Sequence, residues 1–138
     1  MEKLQSKDLR IGNWVECEVL DGEIMVNGYE PIVQIKTIEY DWVSKEYFAL
    51  NTNSDYIYLD LYKPIPLTED WLLRFGFEKN EYHKHIFIKI TNNNFKLKVF
   101  LTENIRLIIV GTGREIYINN VHSLQNLYHS LTGKELTI

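Results

Sequence analysis

The strongest constraint on the fold is a segment in the middle of the chain, Lys63-Pro-Ile-Pro-Leu-Thr-Glu-Asp-Trp-Leu-Leu-Arg-Phe-Gly76. Its two prolines end an extended stretch, and Thr68 is a good helix N-cap because its hydroxyl can accept a bond from a first-turn amide. Two acidic residues follow at the positive end of the helix dipole, and Gly76 supplies a left-handed stop. The segment therefore predicts a short helix that separates two unlike halves, residues 1–63 and 64–138.

The composition is typical of a soluble globular chain, with 45% hydrophobic and 25% charged residues among 138. Aromatic residues make up 13%, and the abundance of Tyr, Ile, Val and Phe favours strand over helix. No apolar run approaches the roughly 20 residues that a bilayer-spanning helix needs, and the first residues lack the apolar core of a signal peptide. The single cysteine, Cys17, cannot form an internal disulfide, so we expect a cytoplasmic protein.

Charge differs between the two halves. Residues 1–63 contain six Lys/Arg and twelve Asp/Glu, a net of −6, whereas residues 64–138 contain nine and seven, a net of +2. Contacts to phosphate need cationic density. The acidic first half therefore argues against nucleic-acid binding there, and the second half keeps that function open.

About five short strands, joined by turn signals, are expected in the first half. Alternation marks the buried faces of the first two strands as Val15, Cys17 and Val19, and as Val33, Ile35 and Thr37. The turn dipeptides Asp21-Gly22 and Asn27-Gly28 lie between these strands. The pattern resembles an SH3-like small β-barrel, whose first strand opens with Leu-x-x-Gly-Asn/Asp-x-Val, here Leu9-Arg-Ile-Gly12-Asn13-Trp14-Val15. The resemblance covers roughly residues 8–63 and implies a barrel subdomain over residues 1–63. Barrels of this kind bind proteins, peptides or nucleic acids, and many serve only as scaffolds.

The second half predicts an antiparallel sheet. His85–Ile90 and Phe95–Leu101 flank a hairpin turn at residues 91–94, and Ile105–Val110 pairs with Glu115–Ile118 across a glycine-containing turn. On the first of these strands we expect Ile86, Ile88 and Ile90 to face the core, which directs His85, Phe87 and Lys89 outward.

A final helix is predicted between a cap at Asn119 or Asn120 and a stop at Gly133. Its apolar stripe should face the sheet and consists of Val121, Leu124, Leu127/Tyr128 and Leu131. Residues 64–138 therefore form an α-β-β-β-β-α subdomain, and the whole chain is α+β.

Three segments of the chain together resemble a family of uncharacterised small proteins from phages and prophages of anaerobic gut bacteria. These are Leu9–Val15, Pro64–Phe77 and Val121–Leu136, the last matching Val-His-x-Leu-Gln-Asn-Leu-Tyr-x-x-Leu-Thr-Gly-x-Glu-Leu. The resemblance brings no activity with it. It implies an intracellular, phage-encoded product.

The sequence predicts no metal site. His83 and His85 lie two apart on an expected strand, but zinc normally needs three or four protein ligands. The other candidates, His122, His129 and Cys17, lie at no recognisable ligand spacing. We therefore expect no metal and no cofactor.

Catalytic signatures are also lacking. The sequence Gly111-Thr-Gly113 precedes a strand and lacks the Gly-Lys-Ser/Thr ending of a phosphate loop. There is no nucleophile elbow and no paired spacing of two carboxylates. These observations predict a protein that is not an enzyme and has no catalytic residues.

Three surfaces are candidates for binding. The first is an aromatic rim of the barrel that consists of Trp14, Tyr29, Tyr40 and Trp42. Aromatic side chains offer a large contact area and lose little conformational freedom on binding. The alternative role of these residues is to close the ends of the barrel. The second half has a basic and aromatic face that consists of His85, Phe87, Lys89, Lys96, Lys98 and Phe100. This face could stack single-stranded nucleic acid or be an ordinary solvated face. The last helix has a polar side formed by His122, Gln125, Asn126 and His129. It is either an ordinary wet side of the helix or, because it has few charges, a partner surface.

These features favour a small, non-enzymatic, phage-encoded binding or accessory protein that acts through contact with a phage or host protein. A nucleic-acid-binding accessory protein that uses the hairpin of residues 83–100 is the alternative. A compact nucleotide-binding or counter-defence factor is a third class. The expected location is the cytoplasm of the host cell, with the virion as a second location.

Overall fold

The computed structural model describes residue 4 and residues 8–17, 32–53, 56–92 and 94–138. These residues form a mixed α+β protein with two five-stranded antiparallel sheets and two α-helices, which confirms the predicted class. The chain divides into two compact units, Met1–Ile65 and Pro66–Ile138, each with its own sheet.

The sheet of the first unit has its N-terminal strand in an interior position. Its strands are β1 (Trp14–Cys17), β2 (Ile32–Asp41), β3 (Glu46–Asn51), β4 (Tyr56–Tyr58) and β5 (Tyr62–Lys63), with a 3-10 turn at Leu59–Leu61. Their spatial order is β4-β3-β2-β1-β5. The strands do not close into a barrel over the described residues, so the predicted SH3-like barrel is not confirmed.

Alternating apolar side chains build the core of the first unit. Val15, Val33 and Ile35 are fully buried, as predicted. A β-bulge between Ile35 and Thr37 then shifts the alternation. Ile38 consequently packs against the core in the place predicted for Thr37. Three parts of the prediction lie outside the described residues: Val19, Asp21-Gly22 and Asn27-Gly28.

The second unit begins and ends with a helix. Its elements are α1 (Glu69–Arg74), β6 (Glu78–Lys79), β7 (Ile86–Ile90), β8 (Lys96–Phe100), β9 (Arg106–Ile109), β10 (Arg114–Tyr117) and α2 (Val121–Thr132). Neighbours in sequence are neighbours in the sheet, β10-β9-β8-β7-β6, and β6 adds a short strand to the four that were predicted. No helix formed by the described residues is long and apolar enough to cross a membrane.

Local signals at the helix ends agree with the structure at most positions. Thr68 is the N-cap residue of α1, although the predicted capping bond of its hydroxyl is not formed among the described residues. Gly76 has a φ of +85°, the left-handed conformation expected there. At the start of α2 the Asn120 side chain accepts a hydrogen bond from the Ser123 amide at 2.9 Å, and at its end Gly133 has a φ of +72°.

The register of β7 against β8 reverses the predicted faces of β7. A turn at residues 91–94 would pair Ile90 with Phe95, but Ile90 pairs with Lys96, and a slip of one residue turns every side chain to the other face. Phe87 therefore lies opposite Val99, and both are fully buried. The prediction that Ile86, Ile88 and Ile90 face the core is wrong, since Ile90 is 69% exposed.

Candidate binding surface

The turn of the β2–β3 hairpin exposes two adjacent apolar side chains. Trp42 is 82% exposed and Val43 is 93% exposed. Single exposed apolar residues are common on protein surfaces, whereas clustered ones mark interaction sites. Whether this turn is a candidate interaction site therefore depends on whether further apolar side chains cluster around Trp42.

Asp41 orders the backbone of the turn. Its carbonyl oxygen accepts a hydrogen bond from the Lys45 amide at 2.7 Å. Its carboxylate accepts one from the Val43 amide at 3.0 Å and one from the Ser44 hydroxyl at 2.9 Å. The Val43 amide, followed by Ser44, holds the pKa of Asp41 below its ordinary value, because these bonds stabilise the charged form. The apolar tip is thus carried on a turn fixed by local hydrogen bonds.

Two tyrosines extend the exposed tryptophan into a cluster. The Tyr40 ring centroid lies 4.8 Å from that of Trp42, in an edge-on arrangement, and 4.9 Å from that of Tyr47. Tyr40 and Tyr47 are direct cross-strand partners, so their side chains share a face. We call Tyr40, Trp42 and Tyr47 the hairpin aromatic cluster.

The structure brings together only part of the predicted aromatic rim. Tyr40 and Trp42 are in ring contact, whereas Trp14 pairs with Gln34 near the other end of β2, about 20 Å away at the usual rise per residue. Tyr29 lies outside the described residues. Tyr47 was not predicted from the sequence, because only the pairing register of β2 with β3 identifies it as a neighbour of Tyr40.

The opposite face of the same hairpin contains a second aromatic group and a pocket. The Phe48 and Tyr58 ring centroids are 4.1 Å apart, and the Tyr56 hydroxyl donates a hydrogen bond to Glu39 Oε1 at 3.2 Å. A pocket of about 380 Å³ is lined by Glu39, Asp41, Phe48 and Tyr56, and also by Tyr40 of the hairpin aromatic cluster. No motif in the sequence indicated this pocket.

In the second unit, the predicted nucleic-acid residues do not share one face. Phe87 is fully buried, and Lys89 shares its side of the sheet, because its cross-strand partner is the buried Leu97. The Lys89 ammonium donates a hydrogen bond to the Phe75 carbonyl at 2.8 Å, and burial lowers the pKa of Lys89. The predicted outward orientation of Phe87 and Lys89 is therefore wrong. His85 is exposed in the turn before β7.

The other three predicted residues, Lys96, Lys98 and Phe100, do lie on the opposite side of this sheet, and Arg106 joins them there. The Lys98 ammonium and the Arg106 guanidinium lie 5.9 Å and 4.7 Å from the centre of the Phe100 ring. Arg106 also pairs with Glu115 at 2.9 Å. Arg106 was not among the predicted residues, and its place follows from its pairing with Phe100.

The remaining candidates are separated or buried. His83 and His85 both lie in the exposed turn before β7, rather than on a strand as predicted. Over the described residues, no group of three or more His, Cys, Asp or Glu side chains could hold a metal ion. His122 and Gln125 are buried in α2, so the prediction that they line a wet polar side is wrong.

No protein-family model, no curated protein and no solved structure matches this chain. The hairpin aromatic cluster is therefore interpreted from its own geometry and chemistry.

Proposed function

We propose that this chain is a small, non-enzymatic binding protein, encoded by a phage or prophage, that contacts another protein in the host cytoplasm through the hairpin aromatic cluster. The observation that carries the proposal is the 82% exposure of Trp42 in ring contact with Tyr40. Tryptophan and tyrosine are the residues most enriched among those that dominate binding energy.

The order of the turn supports this role. A side chain that is already positioned loses less conformational freedom when it binds. Asp41 fixes the backbone around Trp42 and Val43 through three hydrogen bonds, and Tyr40 restricts the Trp42 ring from one side. The tip can therefore be buried by a partner at a small entropic cost.

The arrangement of the first unit is also in keeping with the proposal. A first strand that pairs with both the second and the fifth strand fits a small barrel of the SH3-like kind, which we propose for residues 1–63. In such a framework the β2–β3 hairpin would present its turn on a stable support, away from the fully buried Val15 and Val33.

The test is capture of a partner by the purified, nuclease-treated chain and its Trp42→Ala variant. Loss of a dominant anchor costs about 2 kcal/mol or more, so capture should fall by about thirtyfold while the melting temperature stays within about 2 °C. Tyr82→Ala removes a similarly exposed ring from the second unit and is the matched control. Unchanged capture, or a fall that only follows lost stability, would show that Trp42 is not an anchor.

A second candidate function is binding of single-stranded nucleic acid to the face around Phe100. The favouring observation is that Lys98 and Arg106 both lie within 6 Å of this ring, since stacking rings among cations hold single strands. Binding of a labelled oligonucleotide should weaken with salt, and Lys98→Gln should reduce the salt slope by about 0.7. Lys84→Gln, in the exposed turn before β7, is the control. Equal slopes for both variants and the unmodified chain would reject this function.

A further inference from the structure

The pocket on the opposite face of the β2–β3 hairpin combines two carboxylates with aromatic rings. Glu39 and Asp41 lie two residues apart on β2 and both line it, together with Phe48 and Tyr56. Residues two apart on a strand point to the same face. The pocket therefore concentrates negative charge beside aromatic surface.

Both carboxylates are fixed in place by hydrogen bonds within the hairpin. Asp41 is held by the Val43 amide and the Ser44 hydroxyl, and Glu39 accepts from the Tyr56 hydroxyl at 3.2 Å. An ionised carboxylate has about four acceptor sites. These bonds therefore leave both groups able to accept from an incoming donor.

The aromatic wall of the pocket is also held in place. The Phe48 ring packs against Tyr58 with centroids 4.1 Å apart and an angle of 36° between the planes. The face of an aromatic ring attracts a cation. A planar guanidinium can stack flat on a ring and donate two parallel hydrogen bonds to a carboxylate at the same time, whereas a lysine ammonium is a point charge without this planar, bidentate geometry.

We propose that this pocket binds the guanidinium group of an arginine side chain on the protein that the hairpin aromatic cluster contacts, an assignment that rests on the proposed function. Asp41 lines the pocket and is followed directly by Trp42. One partner segment can therefore place an arginine in the pocket while its neighbouring residues cover the apolar tip.

The test uses two small probes that differ in charge and share their shape, N-acetyl-argininamide and N-acetyl-citrullinamide, titrated into the ¹⁵N-labelled full chain. Arginine should shift the amide resonances of Glu39, Asp41, Phe48 and Tyr56, and citrulline should bind at least about tenfold more weakly. Glu39→Gln should weaken arginine binding by about fivefold or more. Glu103→Gln, an exposed residue of the second unit that does not line the pocket, should not. Melting temperatures verify that both variants fold.

Different outcomes overturn the two proposals. Equal binding of the two probes, or unchanged arginine binding by Glu39→Gln, would overturn the guanidinium site. If partner capture falls with Trp42→Ala and not with Glu39→Gln, the proposed function stands and the partner's arginine is elsewhere. If arginine binds selectively and Trp42→Ala has no effect on capture, the site stands and its assignment to that partner falls.

Discussion

Trp71 is 5% exposed on α1, and its ring centroid lies 5.6 Å from that of Phe75. Replacing a buried tryptophan with alanine removes its contacts and leaves a cavity, so Trp71→Ala should lower the free energy of unfolding by about 3–5 kcal/mol. Leu73, 48% exposed on the same helix, provides the control, and Leu73→Ala should cost less than about 1 kcal/mol. Chemical denaturation measures both values. A loss below about 1 kcal/mol for Trp71→Ala would mean that α1 is peripheral to the fold.

The burial of Lys89 predicts that the stability of the second unit depends on pH. Burial places its pKa in the folded chain below the ordinary value of 10.5, so the unfolded chain binds more protons between these two pKa values. Stability should therefore rise with pH across that interval. The free energy of unfolding, compared between the unmodified chain and Lys89→Met as the pH is raised towards 10.5, should show this rise only where Lys89 is present. Lys84→Met is the control for the loss of one positive charge. If the difference in free energy of unfolding between the unmodified chain and Lys89→Met does not change with pH, the lowered pKa of Lys89 is contradicted.

These two residues differ in how far the sequence could predict them. Trp71 stands in a helix whose end is signalled by Gly76, and its burial is expected from its residue type, since tryptophan is highly buried on average. Lys89 bonds to a carbonyl 14 residues earlier in the chain, at the C-terminal end of α1, where a cation is favoured. No local pattern contains that contact, and for this reason the sequence predicted Lys89 on an exposed face.

At the scale of elements, the exit from α1 depends on close approach between Gly76 and Lys89. Gly76 has a φ of +85°, and a Cβ added there would lie 2.9 Å from the Lys89 ammonium nitrogen. The left-handed conformation alone costs alanine about 1–2 kcal/mol. Because the ammonium must also move from its bond to Phe75, Gly76→Ala should destabilise the chain more than Gly113→Ala, where φ is +70° and no atom lies within 4 Å. Equal losses in thermal unfolding would show that Lys89 moves without cost.

Element types were predictable, and element registers were not. The caps of α2 and the turn positions follow from short-range chemistry, such as the bond from the Ser123 amide to Asn120. Which face of β7 is buried depends on whether the loop between β7 and β8 has four or five residues. The sequence does not decide this, because one face contains Ile90 and the other contains Phe87 and Lys89. The same limit applies to the hairpin aromatic cluster, because Trp42 could be named from its residue type, whereas Tyr47 required the pairing with Tyr40.

At the scale of the whole molecule, the charge distribution is asymmetric. Residues 1–63 have a net charge of −6 and residues 64–138 a net charge of +2. The division into units after Ile65 lies two residues from the boundary used for these sums. Composition alone therefore predicted where cations are available, although it could not show which face of the sheet holds Lys98 and Arg106.

This charge distribution limits binding of double-stranded nucleic acid. The whole chain has a net charge of −4, and Arg106 on the basic face is already paired with Glu115 at 2.9 Å. Duplex DNA should therefore bind with a Kd no tighter than the non-specific range of about 10⁻⁴ to 10⁻⁶ M at physiological salt. Fluorescence anisotropy with a labelled duplex measures this, and Glu115→Gln should tighten binding slightly because it removes an opposing charge. A Kd below about 10⁻⁷ M that persists as salt is raised would show that the duplex is recognised by contacts other than those of its phosphates.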